Sequence, residues 1–208
     1  MTARAIELNM ARRAFIIHGY LSHPGEAWLP WMKRELEARG CVVELPAMPQ
    51  PSRPLIPEWT HFIAELIGEP DRETLIVGHS LGCQAVLRYL ETLGAARKSV
   101  EKTVLVAGTF PVQRSAKDAL KAAGGDPVLL PWFSTGVDAS KVKQAAGECT
   151  VILSDNDPYI DVPAATATFR ATLDPHMIFV PGGGHFNEDD HWMKLPEALA
   201  ALFPADDR

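Results

Sequence analysis

Ser80 stands between two glycines in Gly78-His79-Ser80-Leu81-Gly82, at the end of the apolar run "TLIVG" (74–78) and ahead of a helical stripe. A serine hydroxyl is a poor nucleophile near neutral pH. Chemistry here requires a base within hydrogen-bond reach and a partner for the base's second nitrogen. The pattern G-x-S-x-G is informative because it falls between a strand and a helix. A sharp turn at that junction would strain the serine backbone, project its hydroxyl from the sheet edge, and bring the residues two before and two after it together. Gly78 and Gly82 remove the side chains that would collide. The alternative is a serine N-cap. A cap needs neither glycine, so the elbow reading is preferred.

Such a site expects an acid and then a histidine, each on a loop after a later strand. "DNDPYID" (155–161) follows "CTVILS" and offers Asp157, with Pro158 fixing the turn. Asp155 is the rival acid, placed second on loop position, and Asp161 is read as the N-cap of a helix beginning "VPAATATF". After "HMIFVPG", the stretch "GGHFN" (183–187) releases His185 behind glycines. A lone histidine there is ordinarily a surface residue; behind an elbow and an acid loop it is read as the base. His18 is assigned a loop-shaping hydrogen bond and His79 a packing role in the elbow.

Attack on a carbonyl also needs donors for the oxyanion. The expected pair is the N–H of Leu81, at the positive end of a helix, and the N–H of Tyr20 in "HGYLSHPG" (18–25). Tyr20, Leu81, Trp132, Phe133, Tyr159 and Phe186 flank the loops that must converge and are the candidate substrate-binding walls. For Trp132 and Phe133 a role as anchors packed on the core competes evenly. "HFNEDDH" (185–191) gathers histidines and acids, but its spacing matches no ligand pattern, so no metal is expected. Its acids are read as preceding a helix, where they favour the dipole.

The elements that must hold these residues follow a regular rhythm. Apolar runs at 13–19, 41–46, 74–78, 102–108, 149–154 and 176–182 predict strands. Trp28, Trp31, Met32 and Leu36; Trp59, Phe62, Ile63, Leu66 and Ile67; Cys83, Val86, Leu87, Leu90 and Leu93; and Val162, Ala165, Phe169 and Leu173 fall at helical spacing between them. Leu195, Leu199, Leu202 and Phe203 mark a last helix, with Pro196 in its first turn. Continuous apolar strands alternating with helices imply a mainly parallel sheet covered on both faces, with the loops after the strands gathered on one edge. Residues 109–148 are too long for a simple crossover and are the candidate lid or pocket wall.

The chain of 208 residues suits one domain, 1–208. Its net charge of −6, with Lys and Arg scattered, argues against nucleic acid as a partner. Cys41, Cys83 and Cys149 are too few and too widely spaced for a disulfide framework and are read as buried thiols. No apolar run spans a membrane and the N-terminus lacks a signal peptide's apolar stretch, so a cytoplasmic location is the default expectation. Oligomeric state is not legible.

With these residues in place, the chain resembles the small α/β-hydrolase-fold serine hydrolases of the retinoblastoma-binding protein 9 family, in particular its bacterial branch. The resemblance rests on "HGYLSHPGEAWLPWMKRELEARG" with "ELPAMPQP", then "VGHSLGC", "SDNDPYID" and "GGGHFN", running from about residue 14 to 190. It implies a three-layer α/β/α sandwich with strand order 2-1-3-4-5-6, a minimal cap, and a Ser-His-Asp triad carried by Ser80, His185 and Asp157. It carries over no retinoblastoma-protein partner, because "LGCQA" (81–85) has Ala85 where the L-x-C-x-E motif needs Glu. The expected activity is hydrolysis of a small carboxylic ester or amide through an acyl-enzyme, without cofactor. Acyl transfer on the same residues is one alternative. A non-catalytic interaction module is the other, although its signature, a lost catalytic residue, is missing.

Overall fold

The structure, a computed structural model, describes residues 11–204. The segment in which no signal peptide is expected falls largely before residue 11, outside the described residues, as do both ends of the expected 1–208 domain. Six strands form one sheet: β1 (Arg13–Ile17), β2 (Val42–Glu44), β3 (Thr74–His79), β4 (Lys102–Val106), β5 (Glu148–Ser154) and β6 (His176–Val180). Their order is β2-β1-β3-β4-β5-β6 and every neighbouring pair is parallel.

Each strand's period of two sorts its side chains onto opposite faces. Phe15, Ile17, Ile76, Leu105, Val151 and Leu153 face one apolar cluster, and Ala14, Ile16, Val77, Val104, Val106 and Ile152 face the other. The first is covered by α2 (Ile56–Ile67), α3 (Leu81–Ala95), α6 (Ala139–Ala145) and α7 (Val162–Thr172), and the second by α1 (Leu29–Glu37) and α8 (Pro196–Leu202). This is the three-layer α/β/α arrangement. Burial on both faces explains why the strands read as unbroken apolar runs rather than as alternation.

The helices begin where local chemistry permits. Asp161 accepts the Ala164 N–H at 3.0 Å at the start of α7, the capping role expected of it. Asp138 caps α6 through the Ser140 and Lys141 N–H groups. Pro196 opens α8, where its missing N–H costs nothing.

Residues 109–148 fold into α4 (Ala116–Ala122), a 3-10 turn (Pro127–Leu129), α5 (Leu130–Ser134) and α6. Trp132 has no exposed surface and packs on Trp59, ring centroids 5.5 Å apart, while its indole N–H donates to Pro54 O. Arg88 of α3 reaches the carbonyls of Trp132 and Thr135 at 3.1 and 2.8 Å and so ties this insert to the helix that follows Ser80. Among the described residues, no helix is long and apolar enough to cross a membrane.

Candidate active site

Three loops on the C-terminal edge of the sheet bring the chemistry-bearing residues together. Ser80 follows β3 directly, with φ 55° and ψ −123°, a region that non-glycine residues rarely adopt. It occupies the cap position of α3, yet its side chain accepts no hydrogen bond from the helix. Its Oγ instead lies 2.8 Å from His185 Nε2. Strain held at one backbone position is tolerated because the surroundings fix it. Ser80 N–H donates to Val106 O at 2.9 Å, and a Cβ on Gly82 would run into the Ile17 and His18 carbonyls. A Cβ on Gly78 would lie 2.9 Å from Cys83 Cα. Both glycines are there for close approach, as the crowding of an elbow requires.

His185 Nδ1 lies 2.8 Å from Asp157 Oδ2, and the Asp157 side chain is 1% exposed. The other carboxylate oxygen, Oδ1, accepts the Tyr159 and Ile160 N–H groups at 2.9 and 3.2 Å. Asp155 does not meet the ring; its Oδ1 accepts Gly182 N–H at 2.8 Å and shapes the loop that carries His185.

The backbone around His185 is tied at successive atoms. Asn156 Oδ1 accepts Gly184 N–H at 2.7 Å and Asp190 Oδ2 accepts His185 N–H at 2.7 Å. His79 Nε2 donates to His185 O at 2.9 Å, and Trp28 Nε1 donates to Phe186 O at 3.1 Å. The sequence does not single out Asn156 and Trp28 for these bonds, since each acts on backbone atoms distant along the chain, and it reads Asp190, five residues from His185, only as an acid ahead of a helix. The acids at 188–190 do not lead directly into a helix as expected: α8 starts only at Pro196, and Asp190 turns back on the loop. Burial is the main reason His79 is held down at a pKa of about 3, with the neighbouring His185 adding to it. His79 therefore stays neutral at working pH beside His185, ring centroids 5.4 Å apart.

The loop after β1 closes over the elbow. A Cβ on Gly19 would lie 2.8 Å from Ser80 Cβ and 3.2 Å from Ser80 Oγ, so only glycine lets this turn approach. His18 Nε2 accepts Met48 N–H at 2.9 Å, which leaves Nδ1 to donate to Gly19 O at 3.0 Å. That bond holds the Gly19–Tyr20 peptide from its carbonyl side, the loop-shaping role expected of His18. Burial lowers the His18 pKa and favours the neutral ring this geometry needs. Leu21 N–H donates to Pro51 O at 3.0 Å. Among the described residues, the Tyr20 and Leu81 N–H groups donate to no protein acceptor.

The expected pocket walls divide. Tyr159 is 68% exposed and stands edge-on to His185 at 4.9 Å. Tyr20 and Phe133 are partly buried against the core. Phe186 and Trp132 have no exposed surface and line no pocket mouth; for Trp132 this is the anchor role that competes evenly with a wall role in the sequence. Trp132 is held by Trp59 and Arg88, and Phe186 packs on Trp192 with centroids 5.2 Å apart. A cleft of about 260 Å³, lined by Leu21, His23, Glu26, Asn187, Glu188 and Asp189, opens between the loops after β1 and β6. No group of three metal-ligating side chains converges among the described residues.

A six-stranded parallel sheet of this order, with a serine elbow after its third strand, defines an α/β hydrolase. The chain belongs to the serine hydrolase family, whose model matches residues 14–203. Among its relatives is YdeN of Bacillus subtilis (strain 168), 30% identical over 203 residues that cover 96% of this chain and all of YdeN. The crystal structure of the ydeN gene product from B. subtilis matches with a TM-score of 0.78 at 27% identity, over 92% of this chain and 97% of that one. Est1E from Butyrivibrio proteoclasticus shares the fold, with a TM-score of 0.64 at 13% identity over 85% of this chain and 80% of that one.

Proposed function

We propose that the protein hydrolyses a small carboxylic ester, or an amide of similar size, through an acyl-enzyme on Ser80. The observation that carries this reading is the unbroken line from Ser80 Oγ through both ring nitrogens of His185 to the buried Asp157 carboxylate, each step 2.8 Å. Asp157 holds the proton on Nδ1, so Nε2 presents its lone pair to the serine hydroxyl. Ser80 attacks the carbonyl carbon as Nε2 takes the Oγ proton. The oxyanion is held by the N–H groups of Leu81, at the N-terminus of α3, and Tyr20. Collapse expels the alcohol or amine, which takes the proton back from Nε2, and a water activated by the same nitrogen releases the acid. No step calls for a metal or organic cofactor.

Tyr20, Phe133 and Tyr159 are the proposed substrate contacts, with the folded insert at 109–148 as the pocket wall. Within the serine hydrolase family, we place the chain near the retinoblastoma-binding protein 9 members on the sequence blocks quoted above. A fluorophosphonate probe tests the nucleophile directly. The wild type is expected to label at Ser80 and S80A not at all, with the modified peptide mapped by mass spectrometry. A folded wild type that labels neither with this probe nor with a smaller organophosphate refutes the reading. A series of p-nitrophenyl esters and p-nitroanilides of increasing acyl length then separates ester from amide and short chain from long.

A further inference from the structure

Tyr20 contributes more than its backbone to this loop. Its hydroxyl donates at 2.7 Å to Asp126 Oδ2, a residue 106 positions away in the insert. The same carboxylate caps the 3-10 turn, Oδ1 accepting Val128 N–H at 2.9 Å, so both of its oxygens are engaged and its orientation is fixed. Asp126 is delivered by Gly124 and Gly125, at φ +64° and +86°, which turn the chain back after α4. The tyrosine hydroxyl titrates above its ordinary range because the Asp126 hydrogen bond holds its proton.

We propose that Asp126 is a positioning residue for the oxyanion hole: by holding the Tyr20 hydroxyl, it fixes the orientation of the Gly19–Tyr20 peptide over Ser80. The inference rests on the proposed nucleophile and on Tyr20 N–H as an oxyanion donor. His18 grips that peptide at its oxygen, and Leu21 N–H anchors the residue beyond it. The Tyr20 side chain is the third tie, and it is the one that links the peptide to the insert. A donor has to point at where charge develops, and a misplacement well under 1 Å weakens it. The insert thus tunes catalysis without touching the substrate's reacting atoms.

Y20F, D126A, D126N and the double variant Y20F/D126A, assayed with p-nitrophenyl acetate, test this. Y20F keeps the ring and leaves the Asp126 cap intact, so loss of fold in D126A does not decide the outcome. Y20F and D126A are each expected to lower kcat about tenfold, with KM within about twofold. Affinity for a trifluoromethyl ketone, whose adduct carries an oxyanion, should fall in parallel with kcat/KM. The double variant should be no worse than either single one. D126N should recover most of the loss, because its amide oxygen can still accept Val128 N–H while its NH2 donates to the Tyr20 hydroxyl oxygen. Additive losses, an effect on KM alone, or unchanged kcat in variants that still label at Ser80 would overturn the inference while leaving the nucleophile standing. A wild type that fails to label at Ser80 removes both.

Discussion

Replacing Asp157 by Asn is the perturbation whose consequence is most fully specified by the geometry. The two sides of the carboxylate differ: Oδ1 faces two backbone donors, Tyr159 and Ile160 N–H, while Oδ2 faces only His185 Nδ1. An asparagine must therefore turn its oxygen toward the backbone, since its NH2 cannot face two N–H groups. That leaves the NH2 aimed at Nδ1, which can only accept from it. The ring proton moves to Nε2, and the nitrogen that should take the Ser80 proton no longer has a lone pair. Shape and burial hardly change, so the loss is chemical. In a Ser-His-Asp triad such as the one proposed, loss of the correct tautomer costs about a thousand- to ten-thousandfold in kcat, roughly 4–5.5 kcal/mol of barrier. The assay is p-nitrophenyl acetate turnover at pH 7.5, alongside the rate of fluorophosphonate labelling at Ser80 and the unfolding midpoint. D155N serves as the comparison, because Asp155 bonds Gly182 N–H and not the ring. Activity of D157N within tenfold of the wild type, or an equal loss in D155N, would refute the reasoning.

Three further outcomes follow from residues around the site. With its pKa held at about 3 in the fold against 6.5 when exposed, His79 takes up a proton in the unfolded chain first as pH falls. Stability is full above pH 6.5 and declines toward pH 3, by up to about 1.4 kcal/mol per unit for this one group. His18 acts in the same direction, and urea midpoints of wild type and H79Q from pH 7 to 4 should show the slope reduced in the variant. W132A should lose about 3–5 kcal/mol, read as a lower unfolding midpoint, because it empties a fully buried site. A changed acyl-chain preference with an unchanged midpoint would restore Trp132 to the pocket. G19A should cut kcat/KM at least tenfold while the fold persists, because its Cβ would crowd Ser80 Cβ at 2.8 Å; normal kinetics would show that the turn can retreat freely.

The parts of this molecule that were legible in advance are those encoded by short-range pattern. Six apolar runs gave six strands, and Gly78-His79-Ser80-Leu81-Gly82 marked the turn between β3 and α3 through crowding that only glycine relieves. Asp155 and Asp157 share one loop, one residue type and one proline, so local sequence ranks them only by distance from the strand. The fold separates them by direction, one toward Gly182 and the other toward the ring. The aromatic residues are ambiguous in sequence for a related reason. Trp132 and Phe186 lie near the right loops in sequence, but whether a side chain turns into the core or the mouth depends on partners such as Trp59 and Trp192. The Tyr20–Asp126 bond was not readable at all, although "AAGGDP" carries its trace: two glycines that turn the chain and an acid placed just beyond them.

The order of the strands has a consequence for how the protein comes into being. β3, which carries the serine, and β6, which releases the histidine, are separated in the sheet by β4 and β5. The turn at Ser80 and its ties to β1 and β4 need the chain only through β4, whereas His185, the proposed base, arrives after the last strand. A chain whose β6 has not docked would thus hold Ser80 without its proposed base. On the proposed mechanism reactivity at Ser80 is expected only once the final edge of the sheet docks, and the rate of Ser80 labelling during refolding would then report completion of the sheet.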